Sequence, residues 1–527
     1  MLVIATLPNP RMNAPDPKAS PPKLALWLVP LLAFVGAMAV AVHEKYVPTG
    51  GDPSEPLMVA RYWPDLGHTL WLEHGWGYPA LIRFFSIFTH DEYASARAVS
   101  VLAATAVALC GVRLSFRYLP QFEAWLVCLL IALSPVNLVY GGGSNSDMIM
   151  AALLWSAYWL LFMKEVTLFG AAAAGALVMF SIFTKGSGMP LAFIVPVVLL
   201  ASSAEKRWAR ASAFAVGLSL CALVFLGMFL VEGMPLRHFL AKGSASIAVG
   251  VLDKPGVPRS GDYFIAEYPT MLTLVQREWK AVLSTAGKAV YHIHDRWFLR
   301  CMGVLGFLPV AGLFVWVRRW KRSGLGLATC VIAVQATYLW TGPFSSPRHV
   351  STAIPFLTLL SIYALLILPK FLTVGCAAKR YQMPLRRPCL ILVCAVTVIW
   401  SVHSVTSYCR SADHPRWKAI AEAGSWLKPR ATANDRITGG GDAIAYYAGL
   451  RAVTIYRVFQ GVSPSPEAIA GELQARQCRW LAWIHGVSSF EYPELTVLET
   501  TNTFGGCRLV YRNEYVSLYN AVENPSP

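Results

Sequence analysis

Long apolar runs recur through the first four-fifths of this chain, and they constrain its fold more than any motif does. The first, Leu24 to Val42, carries no charged residue. It is too long for the apolar core of a signal peptide and has no convincing cleavage site after it, so it reads as a retained span. Ten further runs follow at about 95–113, 122–140, 148–163, 166–183, 188–203, 209–231, 301–317, 325–341, 351–369 and 387–405. Each is near the length a helix needs to cross a bilayer, so about 11–13 membrane helices are expected within residues 24–405. Composition agrees: hydrophobic residues make up 55% of the 527 and charged ones 14%, against about 25% charged in a soluble protein. An ordinary cytosolic enzyme is excluded.

The 45 Lys and Arg outnumber the 29 Asp and Glu, giving a net charge of +16. Alternating the spans from a cytoplasmic N-terminus (residues 1–23, expected to be disordered) accounts for that excess. Arg113 and Arg117, Lys164, Lys206 to Arg210, Arg318 to Arg322 and Lys379 to Arg387 then share one side, as the positive-inside rule requires. No nucleic-acid partner is needed to explain the charge, and none is expected. The other side receives a first loop (43–94), turns at 141–147, 184–187 and 342–350, a large loop (232–300) and the 406–527 tail.

Those outer connections hold the unusual residues. Asp52 and Glu55 follow the first span, Asp147 sits in Ser144-Asn-Ser-Asp147, Lys185 in Thr184-Lys185-Gly186, and Arg348-His349 precedes a span. Each acid can equally cap a helix, and Trp76 and Tyr78 suit either sugar faces or an interfacial belt. Together they place carboxylates and cations at one membrane level, where ionisable groups are costly and usually line a site. The fitting chemistry is attack by a hydroxyl on a substrate with a phosphate leaving group. A carboxylate accepts the proton, and Lys and Arg hold the phosphate.

Two stretches of the large loop, 235–249 and 268–290, read as amphipathic surface helices. From about 409 the hydropathy falls and an α/β pattern appears. Helices are expected at Trp417–Trp426, Ala443–Ala448 and Pro466–Arg476, and strands at Arg436, Ala452–Tyr456, Trp480–Ile484, Val497–Glu499, Cys507–Tyr511 and Val516–Tyr519. Gly439-Gly440-Gly441 lacks the spacing of a dinucleotide fingerprint. Tyr446, Tyr447 and Arg451 are candidate substrate contacts, and Cys478 and Cys507 a candidate disulfide if the tail is extracytoplasmic.

In order, these pieces resemble the GT-C class of lipid-linked-sugar glycosyltransferases, above all the bacterial branch of aminoarabinose transferases and relatives of protein mannosyltransferases. The pieces are Asp52 with Glu55, His74-Gly-Trp76-Gly-Tyr78-Pro79, Ser134-Pro135 with Tyr140 and Asp147, Phe183-Thr184-Lys185-Gly186, Arg348-His349 with Pro355, and Tyr446-Tyr447-Ala-Gly449. Two depart from the family pattern: the acidic pair is opened to Asp52-Pro-Ser-Glu55, and His349 stands where a tyrosine is usual.

The resemblance implies a mainly α-helical polytopic membrane protein of GT-C type with a C-terminal extracytoplasmic α/β domain, in a bacterial inner membrane with the tail in the periplasm. It implies inverting transfer from a polyprenyl-phosphate sugar donor to a lipid, glycan or protein acceptor. Asp52 would be the general base, with Asp147, Glu55 and His349 positioning acceptor or sugar. Lys185 and Arg348 would bind the donor phosphate. A metal requirement is left open, Mg²⁺ or Ca²⁺ being the candidates for carboxylate ligands. The competing class is a transporter or lipid flippase with an outer gate, which predicts polar residues through the bilayer depth and repeated halves; here they gather at one face.

Overall fold

The computed structural model describes residues 20–47, 54–62, 75–162, 165–201, 206–231, 251, 267–268, 270–292, 300–338, 347–372, 382–439, 442–453, 466–475, 477–486 and 493–521. Asp52 and the expected helix at 235–249 lie outside them.

The apolar runs form helices. α1 is Lys23–His43, α2 Glu55–Arg61 and α3 Gly77–Thr89, followed by the long α4, Glu92–Tyr118. Asp91 caps α4 by accepting from the Ala94 N–H at 2.6 Å. The run at 122–140 is divided into α5 (Gln121–Ala132) and α6 (Pro135–Gly142). Ser134 accepts from the Asn137 N–H at 3.1 Å and Pro135 takes the first helical position, so this dipeptide starts a new helix inside an apolar stretch. Then come α7 (Ser146–Phe162), α8 (Leu168–Thr184), α9 (Pro190–Ala201) and α10 (Arg207–Val231). α11 (Met271–His292), kinked at Glu278, exposes Leu272, Trp279, Leu283 and Val290 as an amphipathic surface helix does.

α12 (Pro309–Thr337) takes in parts of two expected runs, 301–317 and 325–341. Trp316 Nε1 donates to the Gly324 carbonyl at 2.9 Å, a residue that a straight helix would put about 12 Å further along its axis. The chain therefore bends back around Arg318–Arg322. α13 (Ile354–Leu372) and α14 (Gln382–Ala412) complete the bundle. Five helices among the described residues are long and apolar enough to cross a membrane, and shorter apolar ones accompany them. Trp27, Phe169, Phe193, Val224 and Ile399 stand exposed on their outer faces, as lipid-facing side chains do.

Small residues let these helices touch backbone to backbone. A Cβ on Gly175 would stand 2.0 Å from the Phe214 carbonyl oxygen, and one on Gly217 1.8 Å from that of Ala172. α8 and α10 run parallel through this contact, and Phe183 stacks on Phe225 with centroids 4.0 Å apart further along. The basic start of α10 is thus at the opposite end of the bundle from Lys185, which follows α8.

α14 leads into the tail: α15 (Pro415–Leu427), β1 (Arg436–Gly439), α16 (Asp442–Ala448), β2 (Arg451–Ala452), α17 (Pro466–Ala475), β3 (Cys478–Ile484), β4 (Thr503–Phe504), β5 (Cys507–Arg512) and β6 (Val516–Ala521). The sheet order is β2-β1-β3-β6-β5-β4, parallel at β2-β1-β3 and antiparallel beyond. Val497–Glu499, expected as a strand, belongs to a 3-10 helix, Pro493–Glu499; three apolar-edged residues carry no period by which to tell the two apart. Cys478 and Cys507 lie on strands either side of β6, two strand spacings or about 10 Å apart. That exceeds the reach of a disulfide, and the expected bridge is absent.

The α8–α10 contact predicts a specific loss. Gly217→Val should force the two helices apart and cost about 1–3 kcal/mol, read as a lower Tm of the detergent-solubilised protein, while Gly227→Val, which meets no atom within 4 Å, should leave Tm unchanged.

Candidate active site

Asp147 occupies the first turn of α7, its N–H donating to Asn145 Oδ1 at 2.9 Å and its side chain only 1% exposed. A carboxylate so enclosed needs compensating charge. Two cations supply it from distant parts of the chain. Lys185, the residue on which α8 ends, brings Nζ to 2.6 Å from Asp147 Oδ1. Arg348, in the short 3-10 turn Pro347–Val350 before α13, brings Nε to 3.5 Å from Oδ2. The Tyr338 hydroxyl, just past α12, donates to Oδ1 at 3.2 Å and accepts from Ser187 Oγ at 2.9 Å. Three connections at one end of the bundle therefore meet at a single carboxylate.

The Arg348 turn is held from beneath. Gln335 Nε2 donates to the His349 carbonyl at 3.2 Å and to Thr352 Oγ1 at 2.6 Å, and Trp155 Nε1 donates to the Thr352 carbonyl at 2.9 Å. Ser351 Oγ donates to the backbone carbonyl of Asp147 at 3.3 Å. His349 stacks on Tyr338 with ring centroids 4.5 Å apart and an angle of 12° between planes. Burial first, then the charges of Lys185 and Arg348, hold its imidazole well below the usual histidine range, so it is neutral near pH 7. Both cations retain partial exposure (17% and 24%) while Asp147 has almost none. The trio, two positive groups on one negative, thus turns a positive side outward.

Trp76 and Tyr78 are joined to the same turns. A Cβ on Gly75 would stand 1.6 Å from the Phe183 carbonyl oxygen, and one on Gly77 2.4 Å from Thr184 Oγ1. The Gly-Trp-Gly stretch thus lies directly on the backbone that presents Lys185, and only glycine permits it at either position. Tyr78 Oη donates to the Ala96 carbonyl at 3.1 Å and lies 3.2 Å from Ser144 Oγ and 3.3 Å from Ser100 Oγ. It is fully buried and braces the turn carrying Asp147.

Glu55 is buried at the start of α2. Tyr446 and Tyr447 lie apart from the Asp147 cluster, where α16 meets the bundle: Tyr447 Oη accepts from the Val47 N–H at 2.8 Å, and the Arg61 guanidinium lies 4.1 Å from the Tyr446 ring centroid. Burial pushes both phenols up, Tyr447 to about 12. Arg451 stacks over Tyr62 at 5.5 Å. Glu44, which the sequence reading passed over, is 2% exposed and accepts from the Tyr408 hydroxyl at 2.9 Å.

Tyr338, Ser187, Asn145 and Gln335 were also missed. Gln335 carried a signal, a lone amide inside the apolar run 325–341; Tyr338 resembled any aromatic near a span end. Among the described residues no three of His, Cys, Asp and Glu converge on a metal position. Both oxygens of Asp147 already face cations, so Asp147 as placed does not fit Mg²⁺ or Ca²⁺; Asp52, the other candidate carboxylate, lies outside the described residues.

The buried ion pairs make two predictions. Asp147→Asn strands two cations and should cost roughly 3–5 kcal/mol, seen as a fall in Tm that a second change, Lys185→Met, partly reverses. For His349 the folded state binds protons less readily than the unfolded chain. Its contribution is therefore constant above about pH 6.5, and stability falls as pH drops below that value toward the folded-state pKa. In Tm against pH, His349→Gln should flatten this acid slope.

No protein-family model matches the sequence, and no curated protein sequence matches it. Solved structures do. ArnT from Cupriavidus metallidurans, bound to undecaprenyl phosphate, superposes with a TM-score of 0.60 at 14% identity, covering 94% of this chain and 97% of its own. The Archaeoglobus fulgidus oligosaccharyltransferase, tethered to an acceptor peptide, matches with a TM-score of 0.56 at 13% identity over 88% of this chain and 69% of its own. With its bundle of apolar helices and terminal small sheet, the chain has the fold of these GT-C membrane glycosyltransferases.

Proposed function

We propose that this protein is an inverting glycosyltransferase that moves a sugar from a polyprenyl-phosphate carrier to a hydroxyl on a lipid, glycan or protein acceptor. The observation that carries the reading is the cationic pair Lys185 and Arg348 fixed on buried Asp147, in a fold shared with a protein whose structure holds undecaprenyl phosphate. The acceptor oxygen attacks the anomeric carbon from the face opposite the phosphate, forming one C–O bond as the other breaks, with inversion. Asp52 takes the hydroxyl proton. Lys185 and Arg348 hold the departing phosphate and offset the charge growing on its oxygen, while Asp147 fixes where those cations stand. Trp76, Glu55 and His349 shape the surroundings of acceptor and sugar.

The bundle end bearing this cluster is opposite the ends carrying Arg113, Arg117, Arg207 and Arg210. By the positive-inside rule those face the cytoplasm, which supports a reaction and a tail on the extracytoplasmic face; the proposed setting is the periplasm of a bacterial inner membrane. A transporter or flippase would instead need ionisable groups along the bilayer depth.

Purified protein supplied with polyprenyl-phosphate sugars and a membrane-glycan extract should yield a mass shift of one sugar on one acceptor, with loss of donor. Asp52→Asn should cut the shift by about 10²–10⁴-fold, while donor still binds. Carrier lipid crossing a vesicle membrane without any glycosylated product would replace this reading with transport.

A further inference from the structure

Asp147 does not hold its two cations equally tightly. Lys185 Nζ lies 2.6 Å from Oδ1, a full charge-assisted hydrogen bond. Arg348 Nε lies 3.5 Å from Oδ2, beyond the reach of about 3.2 Å for an N–H···O bond. The carboxylate therefore attracts Arg348 without fixing its direction, and that task falls to the turn Pro347–Val350. The Arg348 and Val350 carbonyls accept from the Ser351 and Ala353 N–H groups at 3.0 and 2.8 Å. Between them, the His349 carbonyl accepts from Gln335 Nε2 at 3.2 Å.

Gln335 stands in α12 within the apolar stretch Val331-Ile-Ala-Val-Gln335-Ala336. An amide is costly in such a helix unless its hydrogen bonds are needed. Its second bond, to Thr352 Oγ1 at 2.6 Å, goes to the residues just after the same turn. Tyr338, three residues on and so on the same face of the helix, stacks on His349 and donates to Asp147. The turn is also tied to α7 through Ser351 and Trp155, and Cys301 Sγ donates to the Pro347 carbonyl at 3.6 Å. Gln335 is the tie to α12, so losing it shifts the turn without freeing it.

We infer that Gln335 is a positioning residue for the donor phosphate, which aims the Arg348 guanidinium by holding the His349 carbonyl and the Thr352 hydroxyl. This rests on the reading of Lys185 and Arg348 as phosphate ligands given above. A guanidinium binds phosphate through a rigid planar fork, so its direction decides the contact, whereas an ammonium acts as a point charge on a flexible stem. A displaced turn is thus felt at Arg348 and not at Lys185. Because Gln335 acts through Arg348, its loss has no effect on the phosphate once Arg348 is gone.

The test is a double-mutant cycle on the full-length protein, with retention of undecaprenyl phosphate read by native mass spectrometry. Gln335→Met, which keeps the side chain's length and removes both donated bonds, should weaken retention by about three- to tenfold in wild type and by a similar factor in Lys185→Met. In Arg348→Met it should change retention by less than about twofold. Thr352→Val removes one of the two acceptors and should give a smaller loss with the same dependence on Arg348; if Gln335→Met fails to fold, this variant decides by the same comparison. An equal loss in the Arg348→Met and Lys185→Met backgrounds would mark a general loosening of the bundle and overturn the inference, as would no loss in any background. If wild type and Arg348→Met retain the lipid equally, the phosphate-site reading itself falls, and the role of Gln335 with it.

Discussion

A carboxylate removed from water must be paired, and Asp147 is paired twice. That requirement organises the functional end of the bundle. Lys185 and Arg348 come from connections far apart in sequence, with the Tyr338 hydroxyl as a further donor to Asp147 that is itself held by Ser187 Oγ. A charge lost from the middle would leave two cations facing each other in a place of restricted water, which is more costly than any single lost contact. The helices must therefore end at a common level and in a fixed order around α7. Glycine contacts such as Gly175 with Phe214 and Gly75 with Phe183 give the close approach that this demands.

The cluster also explains why its cations are available to a ligand. Asp147 is sealed while the two basic side chains remain partly exposed, so the carboxylate orients them without neutralising both. His349, kept neutral by burial and by those same charges, adds a flat wall against Tyr338 and no further charge. On the proposed function, a lipid phosphate would meet a preformed positive face, with the cost of holding two like charges together already met by the protein.

Apolar periodicity and length made the helical bundle legible, because a lipid-facing helix cannot be written in any other composition. The outer turns were legible too: Asp147, Lys185 and Arg348 stood out as charges beside apolar runs, and the structure brings those three together. What sequence could not give was the partner of each. Lys185 has no acid near it in the chain, and only the packing of α7 on α8 supplies one. Tyr338 and Ser187 were hidden because an aromatic at a span end and a serine in a turn are ordinary features. Tyr446 and Tyr447 were read as candidate substrate contacts; what sequence could not give is that docking of α16 on the bundle sets them against Arg61 and Val47. The α5–α6 break was written in Ser134-Pro135, which an apolar average over that span conceals. The bundle matches that of ArnT at 14% identity because many apolar sequences satisfy the same burial.

On the proposed function, Lys185 and Arg348 form a phosphate-binding face that Asp147 holds in place. Native mass spectrometry of the purified protein with undecaprenyl phosphate measures this directly, without reference to sugar or acceptor. Wild type should retain one lipid phosphate, and Lys185→Met and Arg348→Met should each weaken retention by about tenfold or more, with undecaprenol, which lacks the phosphate, retained equally poorly by all three. Equal retention of undecaprenyl phosphate by wild type and both variants would contradict the account.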